Sequence, residues 1–343
     1  MQAKYRDNEY NSNRHLIKKR PHMKVFDNVL EMIGNTPLVR VNNLDTGPCE
    51  LYLKLELQNP GGSIKDRIAV EMINAAERDG KLKAGDTIIE ATAGNTGLGL
   101  ALVAASKGYP LKIVMPDKMS QEKVNNLRAM GAEVVQTRSD VQKGHPEYYQ
   151  DMAARMAEEN GYYYVNQFEN PANVDAHYKT TGPEIWQQMD GKLDAFVCGV
   201  GSGGTLTGIG RYLREQNSDV DLVLADPEGS ILEPLVNRNE EVEAGSWLAE
   251  GIGEDFVPKI CDIKLANTAF AISDKEGLTT ARKLLEKEGV MVGSSSGYLI
   301  AAALRYCQQQ TEPKRVVTLA CDTGNRYLSK LFNDDWMRSQ NLL

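Results

Sequence analysis

Short apolar runs alternate with longer helical stretches through most of this chain, and that alternation limits its fold more than any other feature. Strands are expected at residues 87–91, 111–115, 133–136, 162–165, 194–199, 221–225 and 315–320. Helices are expected at 97–107, 120–130, 146–159, 176–189, 203–214, 276–288 and 296–309. Pro116 ends one strand and Gly131 stops one helix. Strands spaced by helices of this length imply a mostly parallel sheet with helices on both faces. Such sheets bind ligands beyond the carboxyl ends of their strands.

At 343 residues the chain exceeds what one compact core usually holds, so two domains are expected. The net charge of −8 disfavours nucleic acid as a partner, since the body of the chain shows no strong basic patch. The five cysteines include no C-x-x-C pair, and the four histidines are scattered. Reduced thiols in a cytoplasmic protein are therefore expected, with neither a disulfide framework nor a metal site. The longest apolar run, residues 98–105, is too short to span a bilayer, and there is no signal-peptide pattern. Residues 1–22 are polar and basic and read as a disordered or vector-derived tail, with Met23 as a more natural start.

Four loops carry chemistry-bearing residues. Pro60-Gly61-Gly62-Ser63-Ile64-Lys65-Asp66-Arg67 puts a lysine directly after a glycine turn and at the mouth of a helix whose apolar positions are Ile68, Met72, Ile73 and Ala76. Partial removal from water lowers the pKa of such a lysine and makes it a usable amine nucleophile. Taken alone, a lysine in that place is far more often a surface residue at a helix start. Ala91-Thr92-Ala93-Gly94-Asn95-Thr96-Gly97 is small, polar and opens a helix, which suits either a carboxylate or plain N-capping. Gly199-Val200-Gly201-Ser202-Gly203-Gly204-Thr205 lies between strand and helix, where successive glycines let backbone N–H groups wrap a phosphate. It also satisfies G-x-G-x-x-G with Asp226 placed as a ribose acid, so a nicotinamide-dependent dehydrogenase is a rival reading, one that leaves Lys65 and Asn95 without a role. Val292-Gly293-Ser294-Ser295-Ser296-Gly297 offers a hydroxyl to a ring nitrogen, or a serine N-cap.

An amine, a phosphate cradle, a polar partner for a phenolic oxygen and a hydroxyl for a ring nitrogen together describe pyridoxal 5′-phosphate. The chain resembles the fold-type II pyridoxal-phosphate family and, within it, the group of cystathionine β-synthases and cysteine synthases. The likeness runs from about residue 27 to 337, with P-G-G-S-I-K-D-R, T-A-G-N-T-G, G-S-G-G-T and G-S-S-S-G in the family's order. The resemblance implies an α/β protein of two doubly wound domains with mostly parallel sheets, similar to the tryptophan synthase β chain. It implies a larger cofactor-binding domain of residues 23–61 and 169–337, a smaller mobile domain of 62–168, and a tail of 338–343.

It further implies that Lys65 joins the cofactor covalently and is the catalytic residue. Asn95 contacts the phenolic oxygen, Gly201, Ser202, Gly203, Gly204 and Thr205 hold the phosphate, and Ser295 meets the pyridine nitrogen. Thr92, Asn95, Thr96 and Gln167 bind the substrate carboxylate, Ala93 belongs to the same substrate-binding loop, and Gly251 lies on the opposite wall. The implied activity is β-replacement on serine or O-acetylserine by a thiol, in a homodimer whose partners are small amino acids and thiols. Asp226-Pro227-Glu228-Gly229-Ser230, Glu250-Gly251-Ile252-Gly253 with Asp255-Phe256, and Asn333-Asp334-Asp335-Trp336-Met337 look more like cystathionine β-synthase, with homocysteine as nucleophile. Sulfide, giving cysteine, is the alternative. Ala93 stands where the family commonly has serine, and Glu254 where eukaryotic members have tyrosine; both departures suit a bacterial-type enzyme that prefers O-acetylserine. No cysteine precedes Cys49 and the chain ends near 343, so neither a haem ligand nor tandem regulatory domains are expected.

Overall fold

The computed structural model describes residues 25–343 except Ala93, Lys118, Ser120 and Lys143. The expectations for residues 1–22 and for Ala93 lie outside the described residues. Among the described residues ten strands form two sheets, six in the order β1-β2-β10-β7-β8-β9 and four in the order β5-β4-β3-β6. The strands are β1 (Leu38–Arg40), β2 (Glu50–Lys54), β3 (Ile88–Ala91), β4 (Leu111–Pro116), β5 (Glu133–Thr137), β6 (Tyr163–Tyr164), β7 (Ala195–Cys198), β8 (Asp221–Pro227), β9 (Thr268–Ile272) and β10 (Arg315–Leu319). Among these strands only the β1–β2 pairing is antiparallel and the other strand pairings are parallel, while isolated antiparallel bridges join Ser63 to Asp322 and Val292 to Thr323.

The first helices are α1 (Lys65–Arg78), α2 (Asn95–Lys107), α3 (Gln121–Ala129), α4 (Tyr149–Asn160), α5 (Pro171–Ala176) and α6 (Gly182–Gln188). They are followed by α7 (Gly204–Gln216), α8 (Leu232–Arg238), α9 (Asp274–Glu288), α10 (Ser294–Gln308) and α11 (Asp334–Ser339). Alternation along the central strands of the four-stranded sheet feeds two separate cores. Ile88, Ile113 and Met115 pack with Ile68, Met72 and Leu100 of α1 and α2. Ile89, Ala91 and Val114 face Ala153 and Ala157 of α4. A larger core surrounds the six-stranded sheet, whose inner strands β7, β8 and β10 are almost wholly buried.

Several expectations need correction. The helix expected at 176–189 is three pieces: α5, a π-helical turn at His177–Thr181, and α6. Gly182 N–H donates to the His177 carbonyl five residues back, and Pro183 has no N–H to continue the ordinary ladder. The helices expected to start at 97 and 296 begin two residues earlier, which places Asn95, Ser294 and Ser295 in first turns. Strands β1, β2 and β9 were not read from the sequence. They are three to five residues long, and β2 ends in a lysine that is fully buried.

Candidate active site

Lys65 begins α1, and the turn before it is fixed at several points. Gly61 N–H donates to Asp66 Oδ2 at 2.6 Å, and Gly62 turns the chain with φ +78° while donating to the Asn59 carbonyl at 2.7 Å. Ile64 N–H donates to the Cys321 carbonyl at 2.8 Å, which ties the turn to the segment after β10. Burial pushes the Lys65 amine below the usual lysine range, against opposing attraction from Cys321, Glu254 and Asp322.

The amine faces a cleft of about 660 Å³ between the two sheets. A narrower recess of about 40 Å³ shares Lys65, Asn95, Gly201, Ser202 and Gly251 with the cleft and adds Gly203, Thr205, Ser295 and Cys321. Thr92, Asn95, Thr96, Gln167, Gly201, Ser202 and Gly251 all line the cleft. Gly204 lies just behind, as the buried first residue of α7. The candidate residues named from the sequence and described by the structure therefore converge on one region.

The glycine loop can be made only of small residues. A Cβ on Gly201 would stand 2.4 Å from the Gly251 carbonyl oxygen, and one on Gly204 would stand 2.0 Å from Asn173 Oδ1. The loop opens at the N-terminus of α7, where free N–H groups and the helix dipole favour an anion. Thr205 Oγ1 lies 3.3 Å from His177 Nε2. Burial, then the charges of Arg67 and Lys65, lower the His177 pKa to about 3, so this imidazole is neutral.

The three serines divide their work. Ser294 Oγ accepts from Glu250 N–H at 3.1 Å and Ser296 Oγ accepts from Cys321 N–H at 2.9 Å. Ser295 is buried on the recess wall, and its hydroxyl has no hydrogen bond with a described residue. On the opposite side, Asn95 Nδ2 donates to Asp322 Oδ2 at 2.8 Å, and Arg326 donates to Asn95 Oδ1. Thr96 Oγ1 donates to Gln167 Oε1 at 2.7 Å. Gln167 and Asn166 present their N–H groups to the buried Glu90 carboxyl, whose pKa burial raises to about 8.

Sequence reading missed Asn173, Asp322, Arg326 and the ion-paired Glu250. Glu250 binds Lys123 at 2.5 Å and Lys330 at 2.9 Å, joining α3 of the four-stranded side to the opposite wall. Asn173 Nδ2 donates to the Gln167 carbonyl at 2.8 Å and to Ser202 Oγ at 2.9 Å, while its Oδ1 is buried without a partner. Asn173→Ala is expected to strand two buried acceptors and lower stability by about 1–3 kcal/mol, read as a shifted urea midpoint at unchanged slope. An unchanged midpoint would show that water replaces the amide.

The sequence model of a family described as pyridoxal-phosphate dependent enzyme matches residues 29–322. A cystathionine beta-synthase of Apis mellifera is 42% identical over 95% of this chain, and one of Mus musculus is 44% identical over 92%. The chain spans 65% and 56% of those two proteins, less than two thirds of each. A cysteine synthase of Staphylococcus aureus is 43% identical over 89% of this chain and 96% of its own length. Among solved structures, a hydrogen sulfide-producing enzyme from Fusobacterium nucleatum superposes with TM-score 0.82 at 37% identity, covering 90% of this chain and 99% of its own. An O-ureido-L-serine synthase gives TM-score 0.84 at 35% identity, covering 92% of this chain and all of its own.

Proposed function

This chain belongs to the pyridoxal-phosphate dependent enzymes, and from that premise we propose that it catalyses β-replacement on serine or O-acetylserine, with homocysteine as the thiol and cystathionine as the product. The residues present fit the cofactor. Lys65 offers an amine pushed down by burial, the loop leaves no room for a side chain at Gly201, Gly203 or Gly204, and Ser295 brings an unengaged hydroxyl to the recess. When bound, pyridoxal phosphate supplies an electron sink for the α-carbon of an amino acid.

The chain's own groups supply the rest. The N–H groups at the start of α7 and the Thr205 hydroxyl would hold the phosphate, and neutral His177 orients that hydroxyl without adding charge. Ser295 would donate to the ring nitrogen of the bound cofactor, and a hydroxyl there, unlike a carboxylate, would favour loss of the β-substituent over transamination or racemisation. Thr92, Asn95, Thr96 and Gln167 hold the substrate carboxylate at the first turn of α2. Lys65 Nζ, once free, stands beside the α-carbon and both removes and returns its proton. Approach of the four-stranded side, residues 62–168, would shut out water.

The observation that carries homocysteine over sulfide is the cleft itself. It is roomy, and it carries charged groups of both signs, Arg138, Lys123 and Lys330 with Glu122 and Glu250. That lining suits a second zwitterion, which the one-atom nucleophile sulfide does not require. The near full-length match to a cysteine synthase favours sulfide as the second reading.

Steady-state rates for serine and O-acetylserine, each with homocysteine and with sulfide, distinguish the two. The expected result is cystathionine formation, faster from O-acetylserine than from serine. Rapid sulfide turnover with no cystathionine would reject the first reading.

A further inference from the structure

Two carboxyls face the cleft from the segment 250–254, and they differ in kind. Glu250 is held by Lys123 and Lys330, which outweigh the effect of burial and keep its carboxyl below the usual range. Glu254 also lines the cleft, yet its carboxyl has no hydrogen bond or ion pair within 4 Å from a described residue. Its backbone needs no help from that side chain. Glu254 N–H donates to Ser230 Oγ at 3.1 Å, Ser230 Oγ donates to the Glu254 carbonyl at 3.2 Å, and Ile231 N–H donates to the same carbonyl at 3.2 Å. Gly253, at φ +83°, packs against Trp247 and Pro227 and fixes the direction in which the next residue leaves. The Glu254 carboxyl is thereby set beside the start of the glycine loop, with Oε1 4.0 Å from the point where a Cβ on Gly201 would sit.

A carboxyl that does no structural work, aimed into a reaction cleft by a rigid backbone, calls for a chemical explanation. The groups around it are known. Burial raises its pKa to about 8, Asp255 and Asp226 add to that rise, and the Lys65 amine opposes it. The Tyr148 and Tyr149 hydroxyls and the Cys261 thiol face it as neutral groups, their own pKa values raised first by burial. No arginine is among the groups that shift it. Burial thus moves this carboxyl up toward neutral pH and toward the range where thiols titrate, which suits it to take a thiol's proton.

We propose that Glu254 is the proton acceptor for the incoming thiol. The S–H bond breaks with its proton passing to a Glu254 carboxylate oxygen as sulfur bonds to the β-carbon. The π pair of the α,β double bond, left when the β-substituent departed, moves to the α-carbon, which takes the proton held by Lys65 Nζ. Glu254 then returns its proton to water, or to the hydroxide that leaves the next serine. The assignment rests on the thiol-accepting reading above, and it separates nucleophiles by whether they need a base. Homocysteine arrives largely protonated at neutral pH, whereas hydrosulfide is already an anion.

The test compares cofactor-loaded wild type with Glu254→Gln and Glu254→Asp, using O-acetylserine with homocysteine, 2-mercaptoethanol or sulfide. Glu254→Gln is expected to lose about 10²–10³-fold in rate with both thiols and to keep a sulfide rate close to wild type. Glu254→Asp should recover part of the loss. The change in cofactor absorbance on adding O-acetylserine alone should persist in both variants, showing that the steps before thiol arrival are intact. The deficit of Glu254→Gln should shrink as pH rises past the thiol pKa. A loss confined to homocysteine, with mercaptoethanol spared, would make Glu254 a binder of the substrate ammonium and overturn the assignment while leaving the homocysteine reading intact. Equal losses with all three nucleophiles, or no loss with any, would also overturn it. Wild type that uses homocysteine but not mercaptoethanol would count against it, since recognition and not proton transfer would then govern the thiol step. Wild type that uses mercaptoethanol but not homocysteine removes only the homocysteine reading. Wild type that uses sulfide alone removes both.

Discussion

Lys65→Ala is expected to turn over at least about 10⁴-fold more slowly than wild type, and to bind its cofactor without a covalent link. The size follows from two duties resting on one nitrogen, attachment and proton transfer at the α-carbon. The amine suits both because burial holds its pKa down, so the uncharged form is available at a lower pH than for an exposed lysine. Lys123 and Lys330 share the cleft but are ion-paired to Glu250 and cannot take over. Borohydride reduction followed by peptide mapping should mark Lys65 in wild type and no residue in the variant. A mark on another lysine, or near-normal turnover by the variant, would remove the basis of the proposed function.

The second large effect concerns stability, two residues further on. Arg67 donates from Nε and Nη2 to the two oxygens of Glu56 at 2.7 and 2.8 Å, and from Nη1 and Nη2 to Glu184 at 2.8 and 2.7 Å. Lys54 Nζ completes the cluster on Glu184 at 2.7 Å and on the Thr36 carbonyl at 2.7 Å. The Arg67 and Glu56 side chains are 2% and 0% exposed, so neither charge has water to fall back on. Burial pushes Glu56 up, but Arg67 outweighs it and holds the carboxyl below its usual range; Glu184 is brought to about 2 in the same way. Arg67→Met therefore leaves Glu56 buried and largely uncompensated, at a cost of about 3–5 kcal/mol.

The pH dependence follows from the sign of those shifts. Carboxyls depressed on folding stabilise above their unfolded pKa, near 4.3, and that stability fades as pH falls toward about 2. In Arg67→Met the Glu56 carboxyl takes up a proton more readily, so the difference from wild type should narrow on acidification. Urea midpoints at neutral and mildly acidic pH measure both effects. A cost under about 1 kcal/mol would mean that water enters the cluster.

The parts of this site that were legible in the sequence share a physical property. Lys65, Asn95, Gly201–Thr205 and Ser295 each sit in a short local pattern, a glycine turn or a small polar run at a helix start, whose backbone demands show in consecutive residues. Asp322, Arg326 and Asn173 show no such pattern. They act through partners 227, 231 and 29 residues away along the chain, and nothing near them in sequence announces the pairing. Glu254 stood out only as a departure from its relatives, and its lack of a hydrogen-bond partner needed coordinates. The strand and helix order was readable because buried parallel strands are apolar on both faces. The π turn at His177–Thr181 was not, since no local residue pattern marks where the hydrogen bonds lengthen from four residues back to five.

Strand order has a bearing on how the molecule is made. The last strand, β10, lies in the middle of its sheet, and its Arg315 pairs with Glu50 on one side while Val316 pairs with Ala195 on the other. A nascent chain emerging from the ribosome holds every strand of the four-stranded sheet by residue 164, but it cannot seal the six-stranded one until residue 319 is out. Until then β2 and β7 each expose an open apolar edge, so a chain stalled or truncated before β10 would be a target for chaperones and for aggregation.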